Sequence, residues 1–266
     1  MTRIAVVGHV EWVDFISLRE LPGEGQIAHA PGASTRAAGG GGVAAAVLAD
    51  QGAEVDFFCA LGRDADGEAA ASQLRERGVD LHVAWRERPT RRAVTLLTGR
   101  GERTIVTIGE RLEPDADDEL PWDRLGGADG AYFTAGDVGA LRHARQARVL
   151  VASPRGRAAL SEGSAQLDAL VFSASDEDER RWAERLEPRT ALLVATQGAD
   201  GGRWWGDSEG RWAAAKPPGP PRDSYGCGDS FAAGFTLALA QGASVHDAAD
   251  YGAELGAICL TRIGAP

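Results

Sequence analysis

Residues Asp223 to Phe231 read DSYGCGDSF and run straight into the apolar stretch AAGFTLALAQG. Three small residues, Gly226, Cys227 and Gly228, stand immediately before an acid, Asp229, at the expected start of a helix. A helix N-terminus presents unpaired N–H groups and a partial positive charge, so it attracts anions. Small residues in front of it let a phosphate approach the backbone closely. A capping carboxylate would explain Asp229 alone, and an N-cap on a glycine turn is the plainer reading. Capping does not call for three small residues, which cost backbone entropy. An acid beside an anion site can instead accept the proton of an attacking hydroxyl. Phosphoryl transfer to an alcohol needs that combination: stabilised anion, positioned base and in-line geometry.

Two other segments have a related character. GGGGVAAA, Gly39 to Ala46, puts four glycines ahead of a helix, where a ligand can touch backbone or where a flap needs a joint. TQGADGG, Thr196 to Gly202, follows an apolar strand and reads either as a turn or as a surface for a flat ring, with Thr196 able to donate to a phosphate. Asp14 falls in a flap-like region where a surface acid is the default. Asp64 and Asp66 read as helix-start residues, and the acidic run Asp176 to Glu179 as a solvated helix start that also attracts Mg²⁺. The five histidines and three cysteines form no metal-ligand pattern.

The elements that would hold these segments alternate along the chain. Ile4 to Val10 is a buried-strand pattern, and residues 11–38 read as short antiparallel pieces broken by Pro22, Gly23, Gly25, Pro31 and Gly32. A helix ending at Gly52, the strand EVDFFCALG and a helix stopping at Gly78 follow. RRAVTLLTGRGERTIVTIG reads as a hairpin turning at Gly-Arg-Gly. Strands at GAYFTAG, RVLVAS, LDALVFSAS and ALLVATQG then alternate with helices, the Trp-rich segment after Gly201 forms a second hairpin, and helices over about 229–241 and 245–261 close the chain. Strand–helix alternation predicts an α/β fold, a mostly parallel sheet with helices on both faces. The early hairpins predict a small β lid.

Composition narrows the possibilities. The net charge of −11 argues against a nucleic-acid or anionic-membrane partner, while leaving room for a local basic pocket. Lys216 is the only lysine, so 27 of the 28 basic side chains are arginine. That removes a Walker A loop, a protein-kinase-type strand lysine and most Schiff-base chemistry. Three cysteines without framework spacing suggest reduced thiols and a cytoplasmic setting, and the N-terminal MTRIAVVGHV has a strand pattern rather than that of a leader.

Taken in order, these segments resemble the PfkB family of carbohydrate and nucleoside kinases, with its ribokinase-like fold. DSYGCGDSFAAGF is similar to the family's D-T-x-G-A-G-D signature, GGGGVAAA to GG-x-G-x-N-x-A, and LGRDADGEAAASQLRERGVD to L-G-x-D-x-x-G…GVD. TQGADGG is similar to T-x-G-x-x-G, and TRIGA to the closing T-R-x-G-A. The resemblance implies one three-layer αβα domain over 1–266, with lid strands from about 11–38 and 82–108. It implies Asp229 as catalytic base, the amides of Gly226, Cys227 and Gly228 as anion hole, and Asp14, Gly40 and Gly41 as sugar contacts. Thr196, Gly198 and Gly201 would line the nucleotide site, Mg²⁺ would enter with ATP, and K⁺ would sit near Asp223. A sugar-like small molecule would be the acceptor, and two lids would pair in a homodimer. Four positions depart from the family pattern: Ala44 and Ala253 replace expected asparagines, the N-x-x-E element becomes an acidic run near Ser175, and Cys227 replaces alanine. A nucleoside kinase, with Trp12 or Trp85 stacking on a base, and a non-catalytic binding protein on the same fold are the alternative expectations.

Overall fold

The computed structural model describes residues 1–98, 103–186 and 189–264. Its first strand, β1 (Arg3–Val7), sends alternate side chains into two cores, because successive side chains of a strand point to opposite faces. Ile4 and Val6 join one core, and Ala5 and Val7 join the other. The first core packs against helices α1 (Gly39–Asp50), α2 (Ala65–Glu76), α6 (Cys227–Ala240) and α7 (Val245–Cys259). The second packs against α3 (Val138–Ala144), α4 (Arg157–Glu162) and α5 (Glu177–Leu186). Helices on both faces of one sheet make three layers, the arrangement that the strand–helix alternation implies.

The other strands are β2 (Glu11–Leu18), β3 (Gly32–Ala38), β4 (Glu54–Gly62), β5 (Asp80–Arg86), β6 (Arg92–Thr98) and β7 (Arg103–Ile108). After them come β8 (Gly130–Phe133), β9 (Val149–Ala152), β10 (Leu167–Ser173), β11 (Thr190–Thr196), β12 (Gly202–Gly206) and β13 (Gly210–Trp212). The large sheet runs β13-β12-β11-β10-β9-β8-β1-β4-β5. All its pairings from β11 to β5 are parallel, and the Trp-rich hairpin β12–β13 extends it antiparallel. From β1 the chain builds outward through β4 and β5, then returns to start again at β8 on the other side. The β1/β8 boundary is therefore a topological switch point, where a crevice opens beyond the carboxyl ends of the strands.

A second sheet, β3-β2-β6-β7, forms the lid. Its β2–β3 and β6–β7 pairs are antiparallel, and β2 lies parallel to β6. The lid is shorter than the sequence implies at its second segment. Residues 82–86 belong to β5, which pairs with β4 from Asp56↔Asp80 to Gly62↔Arg86 in the large sheet. The apolar residues Leu81 and Ala84 of β5 are buried at that sheet's edge. The expected Gly-Arg-Gly turn lies outside the described residues. No helix among the described residues is long and apolar enough to cross a membrane.

Candidate active site

The site forms where β1 and β8 end. After Val7 the chain turns through Gly8 and His9 into the lid, and after Phe133 it passes Thr134, whose N–H donates to the Val7 carbonyl at 2.9 Å. Helix α1 begins against this turn. Its first four amides are all taken: Gly39 donates to the Tyr225 hydroxyl at 3.2 Å and Gly40 to His9 Nε2 at 3.3 Å. Gly41 and Gly42 donate to the His9 carbonyl at 3.2 and 3.4 Å. The glycines are thus the first helical turn, and their N–H groups are not open to a sugar. Gly40 still lies at the centre of the crevice. A Cβ there would stand 2.9 Å from Thr134 Oγ1, 3.0 Å from Arg155 Cδ and 3.1 Å from Asp229 Oδ1. Gly41 faces inward instead, where a Cβ would meet the Phe57 ring at 2.8 Å. Its small size serves core packing.

The signature loop enters from the other side. Asp223 is buried, and its Oδ1 accepts from the Tyr225 N–H and its Oδ2 from the Gly264 N–H, both at 2.9 Å. One carboxylate thereby joins the glycine loop to the chain's last described turn; Ala265, which ends the TRIGA motif, lies outside the described residues. Gly226 caps α6 in the left-handed region at φ 76°, a conformation that favours glycine. The helix starts at Cys227, two residues earlier than the sequence suggests, so Asp229 is its third residue rather than its cap. Cys227 N–H reaches the Ser224 carbonyl at 3.4 Å, while among the described residues no acceptor meets the N–H groups of Gly226, Gly228 and Asp229. A Cβ on Gly228 would touch nothing within 4 Å. Packing does not require that glycine; the space over it is open to a ligand. Hydrogen bonding to Cys259, together with burial, pushes the Cys227 thiol well up, so it is a small neutral neighbour and not a nucleophile.

Asp229 is only 7 % exposed, with Arg155 Nε 3.5 Å from its Oδ1. The charge of Asp229 holds the Arg155 guanidinium well above its ordinary value, so Arg155 is a permanent cation. Among the described residues, Thr134 Oγ1 and His9 Nδ1 are buried polar atoms without hydrogen-bond partners. Burial and the charges of Arg155, Arg111 and Arg91 push the His9 imidazole well below its usual range. Neutral His9 accepts from Gly40 at Nε2 and carries its proton on Nδ1.

Asp14 is not brought to this centre. Along β2, Glu11, Val13 and Phe15 are buried, and Phe15 meets the Tyr225 ring edge-on at 5.0 Å. Asp14 is one residue out of phase and lies on the other face, bonded to Thr35 Oγ1 at 2.6 Å and to Arg92 Nη2 at 2.8 Å. The lid acid that turns inward is Glu11, 3.2 Å from Arg91 and 3.9 Å from His9. Among the residues expected to line a nucleotide, Thr196 ends β11 and donates to the Phe172 carbonyl at 3.3 Å. Gly198 is open to solvent at φ 58°, whereas Gly201, at φ 78°, is packed against the Trp212 and Ala213 backbone.

Among the crevice residues that sequence reasoning did not place there are His9, Glu11, Arg155 and Glu179, the last named only as the end of the acidic run Asp176 to Glu179. Glu179 ends a D-x-x-E run that starts at Asp176, and its Oε2 accepts from the Ser173 N–H at 3.0 Å. Burial pushes its carboxyl up, against the pull of that N–H and of Arg155. The three-residue spacing from Asp176, and for Glu11 the alternation with Val13 and Phe15, are the signals that would have found two of them. A separate cluster, Asp56, Asp80 and His82, lies at the amino ends of β4 and β5, away from the crevice. Arg124 already satisfies it at 2.6 and 2.8 Å, so it is a structural ion network.

Known proteins resemble this chain in sequence and in fold. The model of the pfkB family carbohydrate kinases matches residues 1–149 and 163–266. The chain is similar to an ATP-dependent ribose-1-phosphate kinase of Halopiger xanaduensis, 29% identical across 100% of this chain and 94% of the other. A shorter match, 42% identical over 29% of this chain and 28% of the other, is to an acarbose 7(IV)-phosphotransferase of an Actinoplanes species. Among solved structures, a microbiome-derived acarbose kinase shares the fold with TM-score 0.83 and 22% identity, over 100% of this chain and 95% of that one. The Arabidopsis thaliana ribokinase complexed with ribose and ATP does so with TM-score 0.77 and 19% identity, over the same shares.

Proposed function

This chain belongs to the pfkB family of carbohydrate kinases, and on that premise we propose that it transfers the γ-phosphoryl group of ATP to a hydroxyl of a sugar-like acceptor, with Asp229 as base. The observation that carries this reading is the pairing of open amides at Gly226 and Gly228 with a buried carboxylate one turn along the same helix. The acceptor hydroxyl would lie between Asp229 and Gly40, where the missing side chain leaves room. Its oxygen attacks the γ-phosphorus as the bond to the β–γ bridging oxygen breaks, and its proton passes to Asp229. The glycine-loop amides and the α6 dipole hold the equatorial oxygens, where charge is greatest in the transition state. A positioned base contributes about 10²–10⁴-fold.

Nucleotide would occupy the Thr196–Gly201 side, with Gly198 offering uncovered backbone to the base. Mg²⁺ would arrive with ATP and neutralise its phosphate oxygens; Asp176 and Glu179 are the acids on that side with oxygens to offer. Asp223 fits a neighbouring K⁺, since among the described residues each of its oxygens accepts one N–H and has a lone pair to spare. The lid would close over the acceptor and exclude water. Strand β7 is exposed along all six residues at the lid's edge, which is where a second copy would add.

The relatives' names run from ribose 1-phosphate to inositol and acarbose, so kinship leaves the acceptor open between anionic and neutral compounds. ADP release with ATP and Mg²⁺, measured across sugars, sugar phosphates, polyols and nucleosides, tests the reading. Acceptor-dependent release supports it. Release with nucleosides alone moves the assignment to a nucleoside kinase, and nucleotide binding without release from any acceptor moves it to a binding protein.

A further inference from the structure

The acceptor side of the crevice carries more positive charge than a neutral hydroxyl compound would need. Three guanidinium groups gather there from separate elements: Arg91 just before β6, Arg111 just after β7, and Arg155 in the turn after β9. Arg91 Nε stands 3.2 Å from Glu11, and Arg155 Nε 3.5 Å from Asp229. Arg111 Nη2 donates to the Arg155 carbonyl at 3.0 Å, and the same guanidinium pairs with Glu113. All three act on the same buried imidazole, His9, at the foot of α1. The protein as a whole carries −11, so this concentration is local.

Arg111 is fully paired, with its Nε and Nη2 both on Glu113 Oε1, but the counter-ions of Arg91 and Arg155 match them less well. Glu11 is buried, which favours its neutral form. Glu113 also accepts the Gly136 N–H at 3.2 Å. Asp229 loses its charge when it takes the acceptor's proton. Among the described residues, Arg91 Nε is buried with no well-aligned hydrogen bond, and Thr134 Oγ1, fully buried beside Gly40, has none. A buried guanidinium without a full partner is costly, and the planar fork of arginine fits phosphate and carboxylate oxygens. A fourth arginine, Arg103 of the lid, lies on the other side, where it reaches Ser224 Oγ in the signature loop.

We infer that the acceptor is a sugar bearing an anionic substituent, a phosphomonoester or a carboxylate, which Arg91, Arg111 and Arg155 receive at the lid side of the crevice. The inference rests on the kinase reading and names its substrate class. Initial rates are measured on matched pairs: ribose 1-phosphate against ribose, fructose 6-phosphate against fructose, gluconate against glucose. The expected result is a kcat/KM at least about 100-fold higher for an anionic member, with an advantage that shrinks as salt rises, since ionic attraction is screened. The phosphate and carboxylate pairs tell the two anion types apart. Arg91→Met and Arg111→Met should each lower kcat/KM for the anionic acceptor about tenfold or more, chiefly through KM, so that the anionic-to-neutral ratio collapses. Arg111→Lys should restore part of it. Melting and ATP binding of each variant report folding separately. If both members of a pair lose rate equally in the variants, the arginines serve the transferring phosphoryl group and the inference is wrong. A neutral sugar used as well as its anionic partner also overturns it, yet leaves the kinase reading standing. No ADP release from any acceptor defeats both.

Discussion

Gly40, Gly41 and Gly42 are consecutive, chemically identical and helical, yet an added methyl group should act differently at each. In the interior of a helix, alanine is favoured over glycine by about 1 kcal/mol. At Gly42 the new Cβ would lie 3.8 Å from Val10 Cγ1, an ordinary contact, so Gly42→Ala should keep that gain and raise Tm by about 2–4 °C. At Gly41 it would press within 2.9 Å of the His9 carbonyl and 2.8 Å of the buried Phe57 ring. Overpacking of this kind costs about 1–3 kcal/mol, so Gly41→Ala should lose up to about 2 kcal/mol net. At Gly40 the atoms in the way are Thr134 Oγ1, Arg155 Cδ and Asp229 Oδ1, at 2.9, 3.0 and 3.1 Å. They are side chains of the proposed reacting centre and can yield by a few tenths of an ångström. Stability should stay within about 1 kcal/mol of wild type. A misplacement of 1 Å costs about 10²-fold in rate, so Gly40→Ala should lose about tenfold in kcat/KM, more if the methyl also displaces the acceptor. Urea unfolding and ADP-release kinetics on the three variants separate the two effects. Full kcat/KM in Gly40→Ala would refute the placement of the acceptor between Gly40 and Asp229.

Three further outcomes follow from the same contacts. His9 is held neutral in the native state, so its folded pKa lies below its unfolded value near 6.5. As pH falls below that value the unfolded chain takes a proton that the native state refuses, and stability drops by up to about 1.4 kcal/mol per pH unit. In His9→Asn, urea unfolding between pH 7.5 and 5.5 should show a correspondingly shallower slope; an equal slope in both proteins would contradict it. Asp223→Asn turns an acceptor into a donor against the Tyr225 or Gly264 N–H and should cost about 1–3 kcal/mol in the same assay. Asp14→Asn breaks a partly exposed pair with Arg92, worth about 0–1 kcal/mol, and should leave the acceptor KM within about threefold. Glu11→Gln should change that KM by more, and the reverse order would mean that the lid presents its other face to the acceptor.

The layers of the fold were legible because each parallel strand is a short apolar run followed by a helix with its own start and stop residues. Asp64, for instance, caps α2 by accepting from the Gly67 N–H at 2.8 Å. The lid boundary was less legible, since β5 has the half-buried alternation of a lid strand but sits at an edge of the large sheet. The signature loop stood out through composition, with small residues at 226–228 directly beside an acid. Which lid acid turns inward was not decided by residue type. Asp14 and Glu11 are both acids in one strand, and the phase set by Val13 and Phe15 against Tyr225 separates them. Gly40 and Gly41 were equivalent in sequence and diverge only because one faces Asp229 and the other Phe57. Arg155 had no local signal at all: the crossing of β9 beside β8 brings it to Asp229 from a turn 74 positions away in the chain.

The central claim is that Asp229 takes the acceptor's proton beside a phosphoryl site built from the Gly226–Gly228 amides. Its most direct test compares wild type with Asp229→Asn for ADP formation at saturating ATP, Mg²⁺ and acceptor, with ATP affinity measured on both proteins by calorimetry. Turnover should fall by about 10²–10⁴-fold while the ATP Kd stays within a few-fold. Turnover at the wild-type rate in Asp229→Asn would contradict it.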